Sequence, residues 1–319
     1  MPLALASLLG CARAAPLITL RGGDTGTIHF SSITLPPSQP ITTSKDGTAA
    51  TISADLSLPG KSAGRVPAVI LAHGCSGVGA LADRWVRELD RMGFASLVLD
   101  SFTGRGLKET CTGQQRINLG SRVVDVYRAR ELLATHPRID PARIALMGFS
   151  QGGGVVLLAR HARFQKPWMA EKRDFAAYLA FYPGCNRKLI DEENVSDRPL
   201  RIFHGMADDW TPIEPCREYR ERMRRLGKDV ALFEYPDAYH AFDSPSLPPA
   251  ILRSQVLNGS NCVSVERDDG RFRVFHRDTG RRATADDPCV SRGATVGHNP
   301  LAYRKAIQDV KDFLSEIFR

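Results

Sequence analysis

The sequence of 319 residues has no uncharged apolar run near the ~20 residues that a membrane-spanning helix needs, which excludes an integral membrane protein. It has no C-x-x-C pair and no Cys/His spacing of the kind that holds zinc, which leaves disulfides or buried free thiols for its cysteines; no cofactor is expected. Internal repeats and low-complexity tracts are absent as well, and disorder, collagen and coiled coil are excluded as descriptions of the whole chain. What the chain does have is ordinary globular material, 43% apolar and 24% charged, with 27 Gly and 20 Pro spread along it. A net charge of +8 and a pI near 9.3 invite a nucleic-acid reading. The basic residues, however, fall in residues 217–228, where Glu214, Glu218 and Glu221 are interleaved, and in 253–305, where Asp and Glu are also common. Mixed-sign faces of this kind are solvated surface, and no nucleic-acid partner is expected.

The first fifteen residues read MPLALASLLGCARAA, an apolar stretch followed by Ala12-Arg13-Ala14, which fits the small-x-small rule for signal peptidase. Residues 1–14 are therefore expected to be an export signal. No Lys or Arg precedes the apolar stretch, so a buried N-terminus is the alternative, and Leu8-Leu9-Gly10-Cys11 resembles a lipoprotein box with a poorly fitting Leu9. Of seven cysteines, Cys11 would leave with that signal. Cys75, Cys111, Cys185, Cys216, Cys262 and Cys289 remain, an even set that suits an oxidising compartment and hence a periplasmic or secreted protein. Spacing alone leaves fifteen pairings open, and buried free thiols besides.

Residues 15–50 form an N-terminal strand and loop segment, Thr/Ser/Pro-rich over 21–45, in which 26–33 alternates as an edge strand would. Residues 51–58, TISADLSL, alternate clearly and end at Pro59-Gly60. Beyond them the apolar runs become continuous, at 68–72, 95–99, 143–147, 176–181 and 200–203, as in strands covered on both faces. Amphipathic stretches alternate with these runs at 81–92, 119–135, 152–163, 214–226 and 300–318. The last carries Ile307, Val310, Phe313, Leu314 and Ile317 at helical spacing. The pattern predicts one doubly wound α/β domain over 51–319, with right-handed crossovers and helices on both faces of a mostly parallel sheet. Residues 244–299 break the rhythm and read as an insertion, with a hairpin-like pair at 262–266 and 272–275 across Asp268-Asp269-Gly270. Cys262 and Cys289 both lie inside it and are expected to pair, stapling a segment too small for a core of its own.

The chemistry concentrates at RIALMGFSQGGG, residues 143–154, an apolar strand running through G-x-S-x-G into a helix. That context presents Ser150 at a sharp turn on the C-terminal edge of the sheet, with glycines two residues to either side where side chains would collide. The alternatives are an inert Gly-rich turn, or a phosphate loop that lacks its G-K-[ST] ending. A serine hydroxyl needs a base with an acid behind it. The strand at 200–203 runs into HGMADDWTP, and a strand at 231–235 into PDAYHAF, so Asp208 and His240 emerge on the same edge in the chain order Ser, Asp, His. Asp209 is the competing acid and reads as helix-start or surface. The run AVILAHGCSG, 68–77, supplies an oxyanion loop, with the backbone amides of Cys75 and Gln151 as the expected donors and His73 orienting the loop. Asp100 either orients His73 or caps the turn that follows it.

Together HGCSG at 73–77, DSFTGRG at 100–106, GFSQGG at 148–153, HGMADDWTP at 204–212 and YHAF at 239–242 resemble the dienelactone hydrolase family of α/β hydrolases, over roughly 51–242 and the final helix. The resemblance implies an α/β-hydrolase sheet of about eight strands, a triad, and metal-free hydrolysis of a small ester or lactone. The family's namesakes use cysteine where this chain has Ser150, which implies a serine esterase mechanism and weakens dienelactone as the expected substrate. The extra cysteines point to an exported branch. Cys75, Cys111, Cys185 and Cys216 all fall near one sheet edge, so bridges Cys75–Cys111 and Cys185–Cys216 are expected, four buried thiols being the alternative. Arg105, between two glycines, is a candidate to receive a substrate carboxylate through its planar fork, an ordinary surface arginine being the alternative. Two other functions compete: a peptidase of prolyl-oligopeptidase type, for whose propeller the chain has no room, and a non-catalytic binding protein on the same scaffold. Oligomeric state is not legible in the sequence.

Overall fold

The computed structural model describes residues 16–36, 47–60, 64–113, 117–169 and 173–319; the expected signal at 1–14, with Cys11, lies outside the described residues. Two N-terminal strands, β1 (Gly26–Thr34) and β2 (Thr48–Ser57), alternate buried and exposed side chains, as their period-two patterning requires. They pair antiparallel with each other, and β2 pairs antiparallel with β4 (Ala95–Asp100). The other strands of the main sheet are β3 (Val66–Ala72), β5 (Ile139–Phe149), β6 (Tyr178–Phe181), β8 (Leu200–Gly205) and β9 (Val230–Tyr235). The eight strands lie in the order β1-β2-β4-β3-β5-β6-β8-β9 and are parallel from β4 onward.

Continuous apolar runs follow from two-sided burial. Ala68, Ile70 and Ala72 of β3 face one core and Val69 and Leu71 the other. The first core is closed by α2 (Leu119–Leu133), α3 (Gln151–Ala159) and α5 (Glu214–Arg225), through Val123, Tyr127, Val155, Tyr219 and Met223. The second is closed by α1 (Ala80–Arg91) and α6 (Pro300–Ile317), through Trp85, Leu89, Val310, Phe313 and Leu314. Every parallel strand therefore delivers its C-terminal end to one edge.

The helix expected over 152–163 is interrupted. It stops at Ala159 and restarts as α4 (Ala162–Gln165). At the break Arg160 is buried, donating to the Tyr219 hydroxyl at 3.1 Å and the Ser196 carbonyl at 3.2 Å, while His161 is extended and bridges Val195. Pairing outside the helix has overridden helical continuation.

Residues 244–299 contain the expected hairpin, β11 (Cys262–Glu266) with β12 (Phe272–His276), and a second antiparallel pair, β10 (Ile251–Asn258) with β13 (Ser291–Val296). The hairpin is tied to the main body by β7 (Arg187–Lys188), which pairs parallel with β11, Arg187 opposite Ser264.

Candidate active site

Ser150 sits at the turn from β5 to α3 with φ 53° and ψ −116°, a left-handed conformation that costs a non-glycine residue energy. The surroundings impose it. A Cβ on Gly148 would lie 2.2 Å from the Gly152 carbonyl oxygen, and one on Gly152 would lie 2.1 Å from that of Ala72, so the turn closes only with glycine at both places. The Ser150 amide donates to the Phe181 carbonyl at 2.9 Å, which fixes the turn to β6.

The loops after β8 and β9 meet backbone to backbone. The Ala207 amide donates to the Ala238 carbonyl at 3.0 Å, and a Cβ on Gly205 would stand 2.1 Å from that same oxygen. This contact brings together side chains 32 residues apart: Asp208 Oδ2 is 2.7 Å from His240 Nδ1, and His240 Nε2 is 2.8 Å from Ser150 Oγ. A carboxylate only accepts, so Nδ1 carries the proton and Nε2 presents its lone pair to the serine hydroxyl. Burial pushes the Asp208 carboxyl up, but the charge and hydrogen bond of His240, with the Thr211 amide, outweigh it and hold the group below its ordinary value. Trp210 and Thr211 donate their amides to Asp208 Oδ1, each at 2.9 Å. The rings of Tyr182 and Trp210, with centroids 4.6 and 4.9 Å from the imidazole, wall it off from water.

The loop after β3 lies beside this array. Among the described residues neither the Cys75 amide nor the Gln151 amide is used by a protein acceptor. His73 is buried, with Nδ1 donating to the Gly74 carbonyl at 2.7 Å and Nε2 accepting from the Ser101 amide at 3.2 Å. Burial first, and Arg122 second, push its pKa down to about 3, so it is neutral and holds the loop. Arg122, which sequence reading passed over, donates to the His73 carbonyl and, at 2.6 Å, to Gln151 Oε1. It therefore ties the loop after β3 to the first residue of α3. Its one sequence signal was an arginine among the apolar residues of α2. Asp100 caps the short turn Thr103–Arg105, accepting from the Phe102 and Thr103 amides at 2.8 and 2.9 Å.

The sequence pattern of the dienelactone hydrolase family matches residues 52–261, which include Ser150, Asp208 and His240. The chain belongs to the dienelactone hydrolase family. A Bradyrhizobium sp. protein named as a probable 2-oxo-3-(5-oxofuran-2-ylidene)propanoate lactonase is 24% identical over 189 residues, 56% of this chain and 74% of that one. A dienelactone hydrolase-like promiscuous phosphotriesterase from metagenomic libraries superposes with a TM-score of 0.56 at 16% identity, covering 92% of this chain and 99% of its own. A thermophilic esterase of Thermogutta terrifontis superposes at 0.52 with 18% identity, covering 88% and 93%. The last two likenesses establish the shared fold. Membership makes the protein a hydrolase that acts on esters or lactones.

One expectation for this dienelactone hydrolase family member is corrected. Arg105 does not face the site. Its Nε donates to Thr34 Oγ1, its Nη1 to the Ser101 carbonyl and Asp125, and its Nη2 to the Ile33 carbonyl and Asp125, all at 2.7–2.8 Å. All five donors are consumed and the side chain is 4% exposed, so nothing is left for a substrate. The buried carboxylate of Asp125, on the inner face of α2, has captured it.

The six described cysteines pair as Cys75–Cys111, Cys185–Cys216 and Cys262–Cys289. In this family member they frame a cavity of about 350 Å³ whose wall includes Ser150, Cys75, Gln151 and Trp210 from the main body. Gly259, Cys262, Ser264 and Val290 line it from the 244–299 segment. Among the described residues no helix is long and apolar enough to cross a membrane, and three disulfides fit a location outside the cytoplasm.

Proposed function

We propose that the protein hydrolyses small carboxylic esters or lactones through an acyl-enzyme on Ser150. The observation that carries this reading is the unbroken line from Asp208 through His240 to Ser150, at 2.7 and 2.8 Å. Ser150 Oγ attacks the carbonyl carbon as His240 Nε2 takes its proton. The imidazolium so formed is stabilised by the ionised Asp208 and returns the proton to the departing alkoxide. A water molecule, deprotonated by the same imidazole, then cleaves the acyl-enzyme. The charge that develops on the carbonyl oxygen at each attack meets the amides of Cys75 and Gln151, held in place before the reaction. The lactonase name of the Bradyrhizobium relative supports cyclic as well as open-chain esters. The three disulfides and the apolar leader-like residues 1–14 support a periplasmic or secreted enzyme.

The test is Ser150→Ala assayed on aryl esters. The expected outcome is a fall in kcat by roughly 10⁴ to 10⁶ with little change in KM, and loss of labelling by a fluorophosphonate probe. Survival of most of the turnover would overturn the assignment.

A further inference from the structure

Asp243, three residues beyond His240, is an acid that the proposed acyl-enzyme mechanism does not use. It is 0% exposed, and among the described residues no Lys or Arg pairs with it. Two neutral donors hold it instead: the Trp85 indole of α1 donates to Oδ2 at 2.9 Å, and the Tyr182 hydroxyl to Oδ1 at 2.7 Å. Each oxygen thus accepts a hydrogen bond, the pattern that suits an ionised carboxylate. Burial pushes this carboxyl above its ordinary value, while the two donors, its own amide and the charge of His240 pull it back. The other titratable groups that face it are Tyr235 of β9, held by Asp309 of α6, and Tyr303 of α6, which has Arg84, Arg87 and Glu88 of α1 around it. Burial keeps both of these hydroxyls protonated. An anion enclosed without a cation is costly in the resting protein, and the charge that acts on it most strongly is that of His240.

Tyr182 connects the two. It follows the last residue of β6 with φ 35°, a left-handed conformation that a tyrosine adopts only when its surroundings impose it. Its amide donates to the Phe203 carbonyl at 2.8 Å and its own carbonyl accepts from Thr211 Oγ1 at 3.1 Å, so the backbone is pinned on both sides. The ring is thereby held with its centroid 4.6 Å from that of the His240 imidazole. Aromatic rings attract cations within about 6 Å of the centroid. A phenol that donates to a carboxylate is polarised toward phenolate, and its ring becomes richer in electrons. A neutral imidazole gains little from such a neighbour. An imidazolium gains much more, so the interaction strengthens when His240 takes the serine proton. His240 also faces Asp208, at Nδ1, and the buried His204, whose pKa burial lowers.

We propose that Asp243, acting through the Tyr182 ring, is a positioning residue that stabilises the His240 imidazolium formed at each attack. No proton passes to Asp243, which acts as a fixed negative charge. Asp208 meets the imidazole directly at Nδ1, and Asp243 adds to it by way of the neighbouring phenol. The free energy spent in enclosing an unpaired anion is then recovered in the transition state, where the cation it lacks appears. This deepens the serine-hydrolase reading and rests on it for the catalytic step alone.

Two measurements test it, one of them independent of turnover. In the Ser150→Ala protein, the NMR titration of the His240 ring should reach its midpoint about one pH unit lower once Asp243→Asn is added, a tenfold weaker preference for the charged ring. In the protein with Ser150 intact, Asp243→Asn should lower kcat about tenfold with little change in KM, and should move the acid limb of the kcat/KM profile to lower pH by a similar step. Tyr182→Phe keeps the ring and removes the hydroxyl that the carboxylate polarises. It should shift both readouts in the same direction by less, and it decides the matter if Asp243→Asn does not fold. A midpoint that stays in place, or a fall in kcat with the acid limb unmoved, would overturn the proposal and leave Asp243 as a structural acceptor for Trp85 and Tyr182. Ester turnover that survives Ser150→Ala would overturn the serine mechanism instead, and the NMR titration would still decide whether Asp243 acts on His240.

Discussion

Thr211 braces Asp208 and His240 from the side. Its hydroxyl is 3.0 Å from Asp208 Oδ2, 3.1 Å from His240 Nδ1 and 3.1 Å from the Tyr182 carbonyl, so it fixes the carboxylate oxygen that the imidazole uses. A hydrogen bond to a charged group contributes about 1.5–3 kcal/mol, and Thr211→Val should lower kcat by about 10- to 100-fold while the fold persists. Steady-state kinetics with a circular dichroism control checks this, and a loss below threefold would mean that the two backbone amides on Oδ1 suffice. The meeting of Ser150, Asp208 and His240 at one sheet edge was legible in the sequence because each stands in a short motif at a strand end. Thr211 and Arg122 were not, because their roles depend on partners far away in the chain. A second prediction at this scale concerns pH. His73 and His161 are buried, and burial with nearby arginines pushes each pKa down to about 3. The unfolded chain therefore binds protons that the folded chain refuses, and the stability present above about pH 6.5 is lost progressively as pH falls toward 3. At pH 5 each histidine costs the folded state about 2 kcal/mol. Melting curves at pH 7 and pH 5 should show a smaller drop in Tm for His161→Leu than for the parent, and an unchanged drop would refute this origin.

The pair of strands β10 and β13 is clamped to the loops that carry Asp208 and His240. The Asp209 carboxylate accepts from the Thr295 amide at 2.7 Å and its hydroxyl at 2.8 Å, and the Asp209 carbonyl accepts from Asn258 Nδ2 at 3.1 Å. The Trp210 indole donates to the Leu257 carbonyl at 2.8 Å, and the Gly297 amide donates to the His240 carbonyl at 3.1 Å. Asp209, read from sequence as helix-start or surface, is exposed and also latches the loop after β8 to β13. Asp209→Ala should lower kcat/KM on the order of tenfold and speed tryptic cleavage within residues 244–299, both through loss of one charge-assisted contact. Unchanged proteolysis would mean that the Trp210 and Gly297 bonds hold the clamp without it. The strands of the main sheet were legible because their apolar runs answer to two cores. β10 was not: five of its eight residues are exposed and its register shifts between Arg253 and Leu257, so no alternation survives in ILRSQVLN. β7 is two residues long and exists only because β11 is there to pair with it.

At the scale of the whole molecule, the three disulfides decide whether these parts stay together. They close loops of 36, 31 and 27 residues, and by the chain-entropy account each disfavours the unfolded chain by about 3.5–4 kcal/mol. Their combined effect is comparable with the whole net stability of a typical domain, about 5–15 kcal/mol. Their placement matters as much as their sum. Cys75 belongs to the loop after β3, Cys185 lines the cavity after β6, and Cys262 and Cys289 close the 244–299 segment that also lines it, so each bridge holds a different wall of the same cavity. Reduction should therefore abolish ester hydrolysis at temperatures where the central sheet is still folded, and should lower Tm by roughly 20 °C or more. The same arrangement predicts that, in guanidinium without reductant, none of Cys75, Cys111, Cys185, Cys216, Cys262 and Cys289 reacts with a thiol reagent, and that all six react once reductant is added. Reaction of any of them before reduction, or full activity of the reduced protein, would show that the walls of the cavity stand without the bridges.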